Sequence, residues 1–332
     1  MKDSTAPVII LSPIDQNTLL ATVPLPLVSS AQQAYLLKGL KGAANTERAY
    51  RADLAHYTHW CQTQGVEGLP ATPALLGQYV SELAPIRKWA TISRRLAAVR
   101  KWHELHQLDT PIDDHWLRAT LKGIQRQHGT HAEQAPAFGA AHLKRIVGGL
   151  VTESEGVPRF GPLRDKVALL LGFTGAFRRS ELVALNLEQL HFSEDGVVIT
   201  YHGSKTNQTG QREEKALFYS ADLTICPVRC LQRWVALLER TTGPLLVRVR
   251  KANELTEERL TDQSINLLVK KYLGDRYSAH SLRASFVTTA KLNGADDSEI
   301  MQQTKHKTSA MIRRYTRLDS IKLHNAAKKL GW

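Results

Sequence analysis

Only three of the 332 residues are cysteine, too few for a disulfide framework. Cys226 and Cys230 lie four apart, yet no second ligand pair stands nearby at zinc-site spacing. Cys61, Cys226 and Cys230 are therefore expected to be buried thiols of a reducing, cytoplasmic compartment. Long apolar runs are missing too. No stretch approaches the roughly 18–20 residues that span a bilayer. The short run Val8-Ile9-Ile10-Leu11 ends at Ser12 and Pro13, too soon for a secretory core segment. No membrane partner is expected. The chain also lacks internal repeats, low-complexity tracts and a Gly-x-x-x-x-Gly-Lys-Ser/Thr loop, the last of which argues against ATP chemistry of the P-loop type.

Acidic residues are in short supply: 31 stand against 44 basic ones, a net charge of +13. Such an excess favours a polyanionic partner, because every neutralised phosphate releases condensed counterions. Residues 1–130 carry fourteen basic and ten acidic residues, and residues 131–332 carry thirty and twenty-one, so both halves are basic. The 42% hydrophobic content is enough to fill real cores, and the length suits two domains.

Residues 1–30, with four prolines and little periodicity, read as a flexible tail. Residues 31–128 read as a helical bundle. Asn45-Thr46 precedes a helix, Thr72-Pro73 is a cap followed by proline at the first helical position, and a further helix spans about 91–107. In that last helix Ile92, Leu96 and Val99 form one apolar stripe with Trp102 at its edge. Six basic residues (Arg87, Lys88, Arg94, Arg95, Arg100, Lys101) and no acidic one lie between Ile86 and Trp102. An apolar back with a basic front suits contacts along a phosphate backbone. Periodicity fails over 129–138, which reads as a linker. Residues 139–332 then form a second domain. Helices are expected near 140–150, 163–173, 227–239, 262–273, 281–293 and 308–316. A hairpin is expected from a strand over Gly196–Tyr201, turn material at 206–210 and a strand near Lys215–Tyr219.

Three segments of this domain hold residues suited to phosphate chemistry. In the first, Arg178 and Glu181 are three apart and can meet on one helical face. Such a pair alone is also an ordinary ion pair. In His280-Ser281-Leu282-Arg283 a helix would project His280 and Arg283 from one side. The former is an imidazole titrating near neutral pH, the latter a planar fork matched to phosphate oxygens. In the third, His306 and Tyr315 are nine apart and would face opposite sides of one straight helix. They converge only if His306 sits in a turn before a helix that starts near Thr308, with Thr308 or Ser309 as its cap.

The order, spacing and neighbours of these segments resemble the tyrosine recombinases, the phage-integrase-type family, over roughly residues 140–330. The helical region before them resembles the family's core-binding domain more loosely. Phe177-Arg178-Arg179-Ser180-Glu181-Leu182-Val183-Ala184-Leu185 is similar to the first arginine box, where the arginine three before the acid selects Arg178 over Arg179. His280-Ser281-Leu282-Arg283 is similar to the His-x-x-Arg box, His306 and Tyr315 to the closing histidine and tyrosine, and Lys205 to the hairpin lysine. Two departures stand out. Both Ala176 and Phe177 separate Gly175 from Arg178, where many members have one residue, and Lys305 precedes His306 where glycine is usual.

The resemblance implies a mainly α fold with a small antiparallel β-hairpin in the C-terminal domain. It implies a two-domain DNA clamp of the simple type, with a SAM-like N-terminal bundle and a catalytic domain. The implied activity is site-specific recombination through a 3′-phosphotyrosyl link to Tyr315. Arg178 and Arg283 would hold the phosphate oxygens, His280 would act as base and Lys205 as acid. His306 would donate a further hydrogen bond, and Glu181 would orient its cationic neighbours. With two arginines to stabilise the phosphorane, neither metal nor ATP is called for, and no carboxylate cluster stands near the boxes. Implied partners are double-stranded DNA with paired half-sites and further copies of the chain. These would form a dimer on one site and a tetramer in synapsis through the tail at 319–332. The implied setting is nucleoid-associated, in a bacterium, phage or plasmid system. A type IB topoisomerase-like strand transferase and a catalytically silent DNA-binding module are the competing readings.

Overall fold

Thr72 starts a helix by local chemistry: its side-chain oxygen accepts the Leu75 N–H at 3.2 Å, and Pro73 occupies the first turn. The computed structural model describes residues 44–131, 135–202 and 212–312, and positions 31, 32 and 35. The tail at 1–30, Lys205 with its turn, Tyr315 and the segment 319–332 lie outside the described residues. Two compact units are present, Met1–Glu133 and Gln134–Trp332.

The first unit is helical: α1 (Ala44–Gln64), α2 (Pro73–Leu83), α3 (Trp89–Leu105) and α4 (His115–His128), the last capped by Asp114, which accepts the Leu117 N–H at 2.9 Å. Ile92, Leu96, Val99 and Trp102 of α3 are buried together with Leu54, Tyr57, Leu76 and Tyr79. The expectation for the basic front of α3 is corrected in one respect. Arg95 lies on the apolar stripe itself, three residues after Ile92 and four before Val99, so the 3.6-residue period turns it inward. It is 7% exposed and bonds to His56 at 3.1 Å and to the Tyr79 hydroxyl at 3.4 Å, with Asp53 at 3.7 Å. Nor is the front free of acid. Asp53 of α1 accepts two bonds from Arg94 at 2.7 and 3.0 Å, Asp113 pairs with Arg100, and Glu104 pairs with Lys101. Arg87 and Lys88 are exposed.

The second unit wraps helices around α6 (Phe160–Thr174), whose residues from Val167 to Leu171 are all buried. Its other helices are α5 (Ala140–Gly148), α7 (Arg179–Ala184), α8 (Pro227–Leu237), α9 (Asp262–Leu273), α10 (Ala279–Leu292) and α11 (Asp297–Thr304), followed by a helical turn at 309–312. No helix was expected where α11 stands. Small hairpins β1 (Glu153–Ser154) with β2 (Val157–Pro158), and β6 (Val247–Val249) with β7 (Leu255–Arg259), also went unanticipated. The expected hairpin is the pair β4 (Gly196–His202) and β5 (Arg212–Phe218), with β3 (Leu190–Phe192) added on the far side of β4. Its register sets Ile199 opposite Lys215 and Val197 opposite Leu217. Successive strand residues alternate faces, so Lys215 and Leu217 both point into the core.

Among the described residues no helix is long and apolar enough to cross a membrane, and no group of three or more His, Cys, Asp or Glu could hold a metal ion. Cys61 and Cys226 are buried and Cys230 partly so; none is in a disulfide.

Candidate active site

The first arginine box sits on the turn from α6 to α7. Phe177 folds its ring back into the core, 2% exposed. A Cβ on Gly175 would lie 2.4 Å from that ring and 2.8 Å from the Leu171 carbonyl oxygen, so only glycine fits there. Ala176, one of the two residues between Gly175 and Arg178, has a left-handed backbone, φ 46°. Arg178 stands at the cap of α7. Glu181, one turn on, accepts the Arg178 backbone N–H at 2.9 Å and a guanidinium N–H of the same residue. Glu181 is buried at 6% exposure. Burial works against its ionisation, but Lys215 and Arg178 outweigh it and hold the carboxyl below the usual range.

Arg283 lies on α10, 1% exposed. One arm donates to the Ala176 carbonyl at 2.7 Å and the other to the Thr304 carbonyl, so the guanidinium ties the α6–α7 turn to the end of α11. His280 is one turn before it, at the start of the same helix and open to solvent on one side. Desolvation by the surrounding protein, then the charges of Arg283 and Arg178, lower its imidazole pKa.

His306 follows Lys305, which ends α11 in the left-handed conformation, φ 55° and ψ 40°. This is the geometry that glycine adopts without penalty, so the departure at this position changes the residue and keeps the turn. Thr304 gives its hydroxyl proton to the Ile300 carbonyl at 2.6 Å and accepts from His306 Nδ1 at 2.8 Å. The neutral ring therefore carries its proton on Nδ1, and Nε2 is the atom that gains a second one. Burial first, then Arg283, Arg178, His280 and Lys215, push its pKa down to about 3.

Arg178, Glu181, His280, Arg283 and His306 are thus brought together from three segments that span 129 positions. Lys205 and Tyr315 lie outside the described residues. Two members of the cluster escaped the sequence reading. Lys215 is wholly buried, its Nζ 2.8 Å from the Gly175 oxygen, 3.2 Å from the Ala176 oxygen and 3.8 Å from Glu181. Burial, with Arg283, Arg178 and Lys305, lowers its pKa to about 7 against the opposing pull of Glu181. The in–out alternation of β5 was the available signal. Thr304, two residues before His306, had none. Three cations and two imidazoles around one carboxylate make a pocket that favours an anion.

The sequence signature described as "Phage integrase family" matches residues 149–321, and that of "Phage integrase, N-terminal SAM-like domain" matches residues 33–106. The chain is 34% identical over 297 residues to the "Integrase/recombinase xerD homolog" of Selenomonas ruminantium, covering 87% of this chain and 86% of that one. The chain belongs to the phage integrase family. It is also 26% identical over 319 residues to tyrosine recombinase XerD of Pseudomonas aeruginosa, covering 92% and 97% of the two chains. Its fold is similar to that of XerH site-specific recombinase in a post-cleavage complex, with a TM-score of 0.61 at 16% identity, covering 90% and 84%. Membership makes it a tyrosine-type site-specific recombinase, an enzyme of DNA strand cleavage and rejoining.

The depressed imidazoles of the recombinase set a pH dependence. In the unfolded chain a histidine takes up a proton near pH 6.5, whereas folded His306 takes one up only near 3. Between those values the unfolded state binds more protons, so stability falls as pH falls, by up to about 1.4 kcal/mol per pH unit from this group. Urea unfolding from pH 7 to pH 4 should show that slope, and His306→Asn should flatten it. An unchanged slope in the variant would assign the acid sensitivity elsewhere.

Proposed function

We propose that Tyr315 is the nucleophile and that the pocket of Arg178, Arg283, His280 and His306 holds the scissile phosphate. The carrying observation is the convergence of these cations and imidazoles on a cluster into which, among the described residues, Glu181 is the one carboxylate bonded. In the step, the Tyr315 oxygen bonds to phosphorus as the bond to the 5′ oxygen breaks. The phenol proton passes to His280, whose lowered pKa keeps it neutral and receptive at pH 7. The 5′ oxygen takes a proton from Lys205. Two guanidiniums hold the non-bridging oxygens as charge develops. A phosphate beside His306 raises the pKa of that imidazole, so Nε2 gains the proton it needs to donate a hydrogen bond. The described helical turn at 309–312 buries Ile312 with Val287 and Ile300, on α10 and α11.

Nicked duplexes selected by the protein itself from a randomised pool test this reading. Incubation should yield a protein–DNA adduct that survives detergent, and peptide mapping should locate the link on Tyr315. Binding without any adduct would favour the silent DNA-binding module. Relaxation of supercoiled DNA without a partner site would favour the topoisomerase-like reading.

For the first unit we propose phosphate contacts by Arg87, Lys88, Arg94, Arg100 and Lys101; the inward-turned Arg95 is left out. We further propose assembly on paired half-sites into a dimer and then a tetramer. A groove of 680 Å³ lined by Leu143, Val147, Leu170, Phe173, Ile225 and Phe286 supports this. Its occupant is residues 319–332 of another copy, whose Ile321, Leu323, Leu330 and Trp332 supply matching apolar side chains. Deleting residues 320–332 should leave binding to a single site intact and abolish two-duplex complexes in gel shifts. Unchanged synapsis would reject the tail as the occupant.

A further inference from the structure

The one lysine of the described cluster does not reach the surface. Lys215 is 0% exposed through its side chain, and its Nζ spends its donors on protein. The carbonyls of Gly175 and Ala176 lie at 2.8 and 3.2 Å, Glu181 at 3.8 Å, and the Phe177 ring centroid at 4.2 Å. These four neighbours belong to one short stretch, the turn that delivers Arg178 and the first turn of α7 behind it. Two of the contacts are shared. Glu181 also holds Arg178, and the Ala176 carbonyl also holds Arg283. One ammonium therefore links both guanidiniums, the first through a carboxylate and the second through a peptide oxygen. It also braces Ala176 in a left-handed backbone that an L-residue disfavours.

A buried lysine is a costly way to fill space, and ion pairs of this kind are often matched in stability by apolar side chains of similar size. The cluster of contacts accordingly points to a role in geometry. We propose that Lys215 is a positioning residue of strand cleavage, setting Arg178 and Arg283 in register by clamping the Gly175–Ala176 turn against Glu181. Buried as it is, it does not touch DNA. The proposal rests on the reading of this pocket as the phosphate site.

The test compares the parent, Lys215→Met, Lys215→Arg and Lys205→Met on two nicked duplexes of one selected sequence. One carries an ordinary phosphate and the other a bridging 5′-sulfur at the cleaved position. A thiolate leaves without a proton, so sulfur rescues a missing proton donor but not misplaced arginines. Lys215→Met should bind DNA within about threefold of the parent and melt lower, because the Gly175 carbonyl loses its donor, yet when folded it should cleave both duplexes about 100-fold more slowly, the scale of a slight misplacement. Lys215→Arg, which keeps charge and donors, should recover at least about tenfold of that. Lys205→Met, if it lacks only the proton donor, should be restored on the sulfur duplex.

Cleavage by Lys215→Met within about threefold of the parent overturns the proposal. Rescue of that variant by sulfur, or a loss wholly accounted for by affinity, does the same. Should Lys215→Met fail to fold, Lys215→Arg decides: cleavage near the parent's sustains the proposal, and background cleavage overturns it. Failure of the parent itself to form an adduct on either duplex strikes instead at the reading of the pocket.

Discussion

Tyr315→Phe is expected to bind its DNA as the parent does and to form no covalent adduct at all. The substitution removes one oxygen and keeps the ring. On the proposed reading, chemistry loses the atom that would bond to phosphorus. A phenol of ordinary pKa is ionised to only about one part in a thousand at pH 7, so the parent depends on a base as well. On the proposed reading His280 is that base, its imidazole pKa lowered by desolvation and by Arg283 and Arg178. The expected loss in adduct formation is at least about 10⁴-fold, read on denaturing gels against an unchanged gel-shift affinity. An adduct that persists in Tyr315→Phe would move the nucleophile to another residue.

The next largest effect is expected of Arg283→Met, on rate and on stability together. The guanidinium is buried, and two of its five N–H groups serve the Ala176 and Thr304 carbonyls. Removal leaves the Thr304 oxygen without that donor, while Lys215 still serves Ala176 at 3.2 Å. An orphaned buried polar group costs about 1–3 kcal/mol, which a thermal melt resolves. Cleavage should fall by about 10³-fold, the usual order for losing a donor to the charge that builds in a transition state. Arg283→Lys should recover little, because one ammonium cannot bridge two carbonyls and also grip a phosphate with a planar fork. A parental cleavage rate in Arg283→Met would remove this residue from the phosphate site.

How much of this could be read beforehand depends on distance along the chain. The helix Asp262–Leu273, the Thr72-Pro73 start, the strand from Gly196 and the stripe of Ile92, Leu96 and Val99 were all legible. So was the need for a turn at His306. Each is a property of neighbours within one helical or strand period. Arg95 departs from the expected basic front because the period that buries Ile92 and Val99 buries it as well. The partners of Arg94 could not have been read at all, since Asp53 stands 41 residues away on another helix.

From the chain order alone came the resemblance to the family, the basic character of both halves and the residue types suited to a phosphate. The first follows from its motifs and the others from composition and residue type, which folding does not alter. Tertiary structure alone decided that Lys215 is buried beneath the arginines, that Lys305 takes a glycine's backbone, and that Arg283 joins Ala176 to Thr304. Those depend on which distant carbonyls and carboxylates arrive within about 3 Å of one another, and only packing selects among them.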